Sequence, residues 1–104
     1  MGLNFNLKPF SVYRFKAYVI GSEYLDIAIA KEWTIEGLIC NTSISGTTFI
    51  GVPTVTSSWG SPTLSSTNVG VVANNFSKSL DIEVTGLPST DIIWYGKMDY
   101  ILLS

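Results

Sequence analysis

Ser79-Leu80-Asp81-Ile82-Glu83-Val84-Thr85 is the stretch that decides the fold. Leu80, Ile82 and Val84 alternate with Ser79, Asp81, Glu83 and Thr85, a period of two that a helix would scatter around its axis. Such a segment is a half-buried antiparallel strand with one dry face and one wet face. Gly86-Leu87-Pro88 breaks it, since neither Gly nor Pro sits well in a ladder.

The same period recurs on both sides of this strand. Strands are predicted near 3–8, 11–20, 24–31, 33–40, 47–56, 69–73, 79–85 and 91–103, separated by turn signals at spacings of about 8–12 residues. Val, Ile and Thr supply 29 residues against four alanines, a balance that favours strands. No segment carries a helical stripe. The expected fold is all-β, an antiparallel sandwich (jelly-roll-like) or small barrel of about 7–8 strands. The 104 residues make one domain, 1–104, with 1–8 a strand-like arm and 56–68 a long polar loop.

Gly21-Ser22 suggests that the first hairpin turns there. A two-residue loop pairs Phe15 with Ala28 and Lys16 with Ile27, which puts Arg14 and Lys16 on one face with Leu25, Ile27 and Ile29. An odd-length loop with a Gly bulge instead groups Tyr13, Phe15, Ala17 and Val19 with Leu25, Ile27 and Ile29. It leaves Arg14 and Lys16 to solvent or a partner. A one-residue slip exchanges the two faces, so burial selects the odd loop. Pro53 marks its strand as an edge or bulged one. In the C-terminal strand Ile92, Trp94, Met98, Tyr100 and Leu102 share one face. Ile93, Tyr95, Ile101 and Leu103 share the other, with Lys97 and Asp99 between. A bulge at Gly96 would shift that phase midway, so the outward face stays open.

Charge narrows the chemistry. Six Lys and Arg face eight Asp and Glu, which leaves no basic surplus for phosphates, so no nucleic acid is expected as a partner. No apolar run approaches the ~18 residues of a membrane span, and Met1-Gly2-Leu3-Asn4-Phe5-Asn6 lacks a basic n-region. The expectation is a chain without a signal peptide or membrane partner, made in a reducing cytoplasm. There is no histidine, hence no usual base for a Ser or Cys nucleophile. Cys40 closes the apolar run Leu38-Ile39-Cys40 and reads as a small buried hydrophobe.

Asp81 and Glu83 project to one side, as paired catalytic carboxylates or Ca²⁺ ligands would. Their alternation with Leu80, Ile82 and Val84 makes them the wet face of an amphipathic strand instead. Asp26, Asp91 and Asp99 are scattered singly. No catalytic, metal or cofactor-binding residue is expected, and the chain is read as not an enzyme. Asn41-Thr42-Ser43 and Asn75-Phe76-Ser77 fit the glycosylation pattern and are read as chance matches in a Ser- and Thr-rich chain.

Aromatic residues are the one surplus. Trp33 and Trp94 lie in predicted strands and are assigned to the core. Trp59, among Ser58, Gly60, Ser61 and Pro62, either folds back onto the core or stands out as an anchor. Few charges, strands apolar on both faces and no catalytic inventory together point to a surface partly covered by partners. The composition, low in charge and rich in Ser, Thr, Asn and Gly without disulfides, resembles that of small bacteriophage virion accessory proteins of the head-decoration (cement) or tail type. That resemblance implies a non-enzymatic structural or assembly role in the virion. Its partners would be the chain's own subunits and another capsid or tail protein. Candidate interface residues are Leu3, Phe5, Leu7, Trp59, Tyr95, Ile101 and Leu103, with the arm adding to a sheet edge, its own or a neighbour's. The alternative is a carbohydrate-binding module in which Trp59 and other exposed aromatics stack on a sugar.

Overall fold

The computed structural model describes residues 2–104. Its elements run β1 (Gly2–Asn6), β2 (Ser11–Glu23), β3 (Ala30–Thr42), β4 (Gly46–Thr56), a single 3-10 turn (Pro62–Leu64), β5 (Asn68–Asn74), β6 (Ser79–Thr85) and β7 (Ile92–Leu103). Two antiparallel sheets pack as an open sandwich rather than a closed barrel: β1-β6-β5, and β4-β3-β2-β7. No helix among the described residues is long and apolar enough to cross a membrane.

Period-two burial builds the core. Tyr13, Phe15, Ala17 and Val19 of β2 are buried, and across the ladder so are Trp33, Ile35 and Ile39 of β3. Leu80 and Ile82 of β6 and Val69 of β5 cover them from the other sheet, with Leu3, Phe5, Phe49, Val71, Val84, Trp94 and Met98 packed around the margin. The residues between, such as Arg14, Tyr18 and Ile20, reach the outer face.

The first hairpin departs from expectation. Phe15 lies opposite Gly37, and β2 and β3 stay paired out to Ser22 and Ala30. The turn is residues 24–29, so 24–31 is not a separate strand. Leu25 and Ile27 are 93% and 74% exposed there instead of lining the core. The reason is that β2 gains more from Trp33, Ile35 and Ile39 along its whole length than from a short partner ending at Ile29. Asp26 closes the turn: its carboxylate accepts the Ala28 N–H at 3.1 Å and its carbonyl the Ile29 N–H at 3.0 Å. Gly21 is not a turn residue at all. It lies on the inner face opposite Trp94, and a Cβ there would stand 2.7 Å from the indole Cζ3, so glycine makes room for the ring. That ring in turn packs on Trp33 at 5.6 Å between centroids.

Gly96 makes no bulge, whereas the strand of Pro53 is both an edge and irregular, as its proline led one to expect. Gly96 causes no register shift, since β7 pairs with β2 continuously from Ile92 opposite Glu23 to Leu103 opposite Val12. Gly96 is small because the Leu3 side chain occupies the space a Cβ would take, where β1 crosses β7. The irregularity falls on β4, between Glu36 and Leu38 of its partner, where Gly51 adopts φ +78° and Pro53 follows. β4 is an edge strand, so Pro53 removes no ladder donor the sheet needs.

One end of the sandwich is tied by buried polar groups. The Asn41 side-chain amide donates to the Leu7 and Lys8 carbonyls (3.3 and 3.2 Å), and its Oδ1 accepts the Thr47 hydroxyl at 3.1 Å. Tyr13 accepts the Lys8 N–H at 2.8 Å. These bonds hold the crossover from β1 to β2 against β3 and β4.

Candidate interaction surface

The regular pairing of β7 settles which of its faces looks outward. Ile92, Trp94, Met98 and Leu102 turn inward, while Tyr95, Ile101 and Leu103 are 69%, 73% and 71% exposed. Ile93 and Tyr100 are about half exposed, Tyr100 leaning edge-on against Tyr13 with ring centroids 5.3 Å apart. Because β7 is an edge strand, its outer backbone groups are also unpaired within the chain.

Across the four-stranded sheet the outer face reads in rows. Glu36, Lys16 and Asp99 lie side by side in the middle, with Arg14 and Lys97 next to them. Arg14 donates to Glu36 at 2.9 Å, and Lys97 meets Asp99 at 3.6 Å. The Arg14 hydrogen bond holds the Glu36 carboxyl below the usual carboxylate range, against the opposing effect of desolvation, with Lys16 adding to the lowering. Towards one end the row is Ile50, Leu38, Arg14 and Ile101, followed by Leu103 beyond Val12. Towards the other, Ile20 lies beside Tyr95 and Ser22 beside Ile93. The face therefore concentrates its charge in the middle and carries exposed apolar groups towards both ends, with Glu32 beside Ile20.

Trp59 is exposed, at 75%. The segment 57–61 carries it along the edge of β3: Glu32 donates its N–H to the Trp59 carbonyl, Ser61 donates to the Ala30 carbonyl, and the Ser57 hydroxyl donates to the Glu32 carbonyl at 2.6 Å. With the backbone committed to β3, the indole points outward beside an open depression lined by Ile20, Lys31, Glu32 and Ser61. Of the expected interface residues, Trp59, Tyr95, Ile101 and Leu103 are thus accessible. Leu7 is buried, and Leu3 and Phe5 are partly buried. The arm has become β1, paired with β6 of its own chain, and these three side chains turn into its own core. Sequence reasoning missed Phe10, Ile44 and Phe76, all exposed and each on a turn at the end tied by Asn41. Each stands among turn-forming Pro, Ser, Asn or Lys, which was the available signal.

The remaining candidate chemistry is structurally occupied. Both Asp81 oxygens accept hydrogen bonds, from Asn74 at 2.9 Å and Ser79 at 2.6 Å, which pins the β5–β6 hairpin. Cys40 is buried. Asn41 is buried and bonded, so a glycan there is incompatible with the fold. Among the described residues no three His, Cys, Asp or Glu side chains come together as a metal site. Compared with known proteins, the chain matches no family, no curated protein and no solved structure.

Proposed function

We propose that this chain is a non-enzymatic assembly protein, an oligomeric β-domain that works in a virion as a head-decoration (cement) or tail accessory protein. The observation that carries the reading is β7, a twelve-residue edge strand with Tyr95, Ile101 and Leu103 exposed on its outer face. Large apolar groups in contact with water on a strand whose backbone is also free make an adhesive edge, and soluble proteins usually blunt such edges. A partner, either another subunit or a capsid or tail protein, would cover it. The low charge count of the whole chain fits the same picture.

Native mass spectrometry of the purified chain, with Tyr95→Glu and Ile101→Asp variants followed by size-exclusion chromatography and circular dichroism, tests it. The wild type is expected to assemble, and the variants to keep the β spectrum while running as monomers. A folded variant that assembles normally refutes the role of this face. The competing reading, sugar binding, is favoured by Trp59 standing exposed beside its depression. It would be supported by a monomeric wild type that binds oligosaccharide and loses binding in Trp59→Ala.

A further inference from the structure

We infer that the occupant of the β7 edge is a second copy of β7, paired antiparallel about a two-fold axis through Met98, so that two four-stranded sheets join into one of eight strands. This rests on the assembly reading above and specifies its interface. Among the free edges, β1 and β5 are short, with five and seven residues, and β4 carries Pro53 and the Gly51 irregularity. Only β7 offers a long edge that keeps one register over its whole length.

The register follows from symmetry and charge. A two-fold axis perpendicular to the sheet keeps outer residues opposite outer residues, so the axis must pass through a residue and not between two. An axis at Lys97 sets Lys97 against its own copy, and an axis at Asp99 does the same for Asp99. Like charges directly opposite are unfavourable. An axis at Met98 sets Lys97 opposite Asp99 of the second copy, and the symmetry makes that contact twice. No other axis places these two residues opposite each other.

The rest of the strand then falls into complementary pairs. On the outer face Tyr95 meets Ile101 and Ile93 meets Leu103, aromatic and aliphatic groups suited to cross-strand contact. On the inner face Trp94 meets Leu102, and Tyr100 meets Gly96, the smallest residue of β7 opposite one of its largest. Tyr100, half exposed although it lies on the inner side, would gain a neighbour there. Because Met98 stands near the middle of Ile92–Leu103, this register also uses the strand almost from end to end.

Two experiments test the inference. In Met98→Cys the two sulfurs flank the axis on directly opposite residues, whose Cα atoms lie about 4.5–5.5 Å apart, within disulfide range. Mild oxidation is expected to give a covalent dimer. Tyr95→Cys places its two thiols about 20 Å apart along the strands and is expected to give none. The native Cys40 is buried and silent. Separately, Lys97→Glu and Asp99→Lys each bring like charges together, and each should raise the dimer dissociation constant by about tenfold or more. Mixed in equal amounts they restore opposite charges and should form a heterodimer close to wild-type strength. A wild type that assembles without the Met98→Cys cross-link, and is indifferent to both charge variants, overturns this interface while leaving assembly standing. A wild type monomeric at all concentrations overturns both.

Discussion

Phe15 is completely buried, opposite Gly37 across the β2–β3 ladder and 6.2 Å, centroid to centroid, from Phe49. Phe15→Ala removes a ring from the centre of the core and is expected to cost about 3–5 kcal/mol. For a chain of this length, whose total stability is about 5–15 kcal/mol, that is a large fraction. Gly37 supplies a sharper test. A Cβ at Gly37 would lie 3.2 Å from the Phe15 Cζ and 3.2 Å from the Pro53 Cβ, closer than packed carbons prefer. Gly37→Ala alone should therefore be destabilising by about 1–3 kcal/mol from overpacking, less what a strand alanine recovers over glycine. With the ring gone the contact with Phe15 is relieved while that with Pro53 stays, and the double variant should be more stable than the sum of the singles by about 1 kcal/mol. Urea unfolding monitored by circular dichroism would give the three midpoints at constant slope. Strict additivity, or a Phe15→Ala cost below about 1 kcal/mol, would refute the packing described for this pair.

Asn41→Ala takes the amide from the Leu7 carbonyl and the acceptor from the Thr47 hydroxyl, while the Lys8 carbonyl keeps the Ser11 hydroxyl, and should cost about 1–3 kcal/mol in the same assay. A near-neutral result would mean that water replaces those bonds. Gly21→Ala forces the Trp94 ring away from its place opposite Gly21 and should cost about 1–3 kcal/mol, with a change in near-ultraviolet circular dichroism from the Trp33–Trp94 pair; an unchanged spectrum would contradict the contact. The folded-state pKa of Glu36 is depressed by its Arg14 hydrogen bond, so the stabilisation is present above the unfolded carboxylate pKa and lost as pH falls through the folded one. Arg14→Gln should move the Glu36 carboxyl back up towards the ordinary value in an NMR titration, and no movement would exclude the pairing as its cause.

What local sequence makes legible here is the facing of each strand. β6 has the predicted bounds, 79–85, because its alternation is complete, and the buried set of β2 follows from the same rule. Choice of partner is another matter. Leu25, Ile27 and Ile29 alternate as a strand would, and nothing local says that β2 does better against Trp33, Ile35 and Ile39 at longer range. The arm shows the same limit: Leu3, Phe5 and Leu7 look identical whether they join their own sheet or a neighbour's. For the candidate surface, Tyr95, Ile101 and Leu103 were readable as one face, but which face depended on whether Gly96 bulged. Trp59 points outward because its carbonyl is bonded to Glu32 and the N–H of nearby Ser61 to Ala30, about thirty residues away in sequence.

The bulge in β4 has a consequence for valency. A sheet with two usable edges can add copies without end, which is how fibres grow. In this chain Gly51 and Pro53 interrupt the far edge of the same four-stranded sheet whose near edge is β7. Each copy then has one hand to offer through that sheet. Pairing through β7 consumes it, and what remains at both ends of the joined sheet is the interrupted strand. With copies paired as inferred above, growth through this sheet would stop at two, and a chain with a sticky edge would stay a finite object.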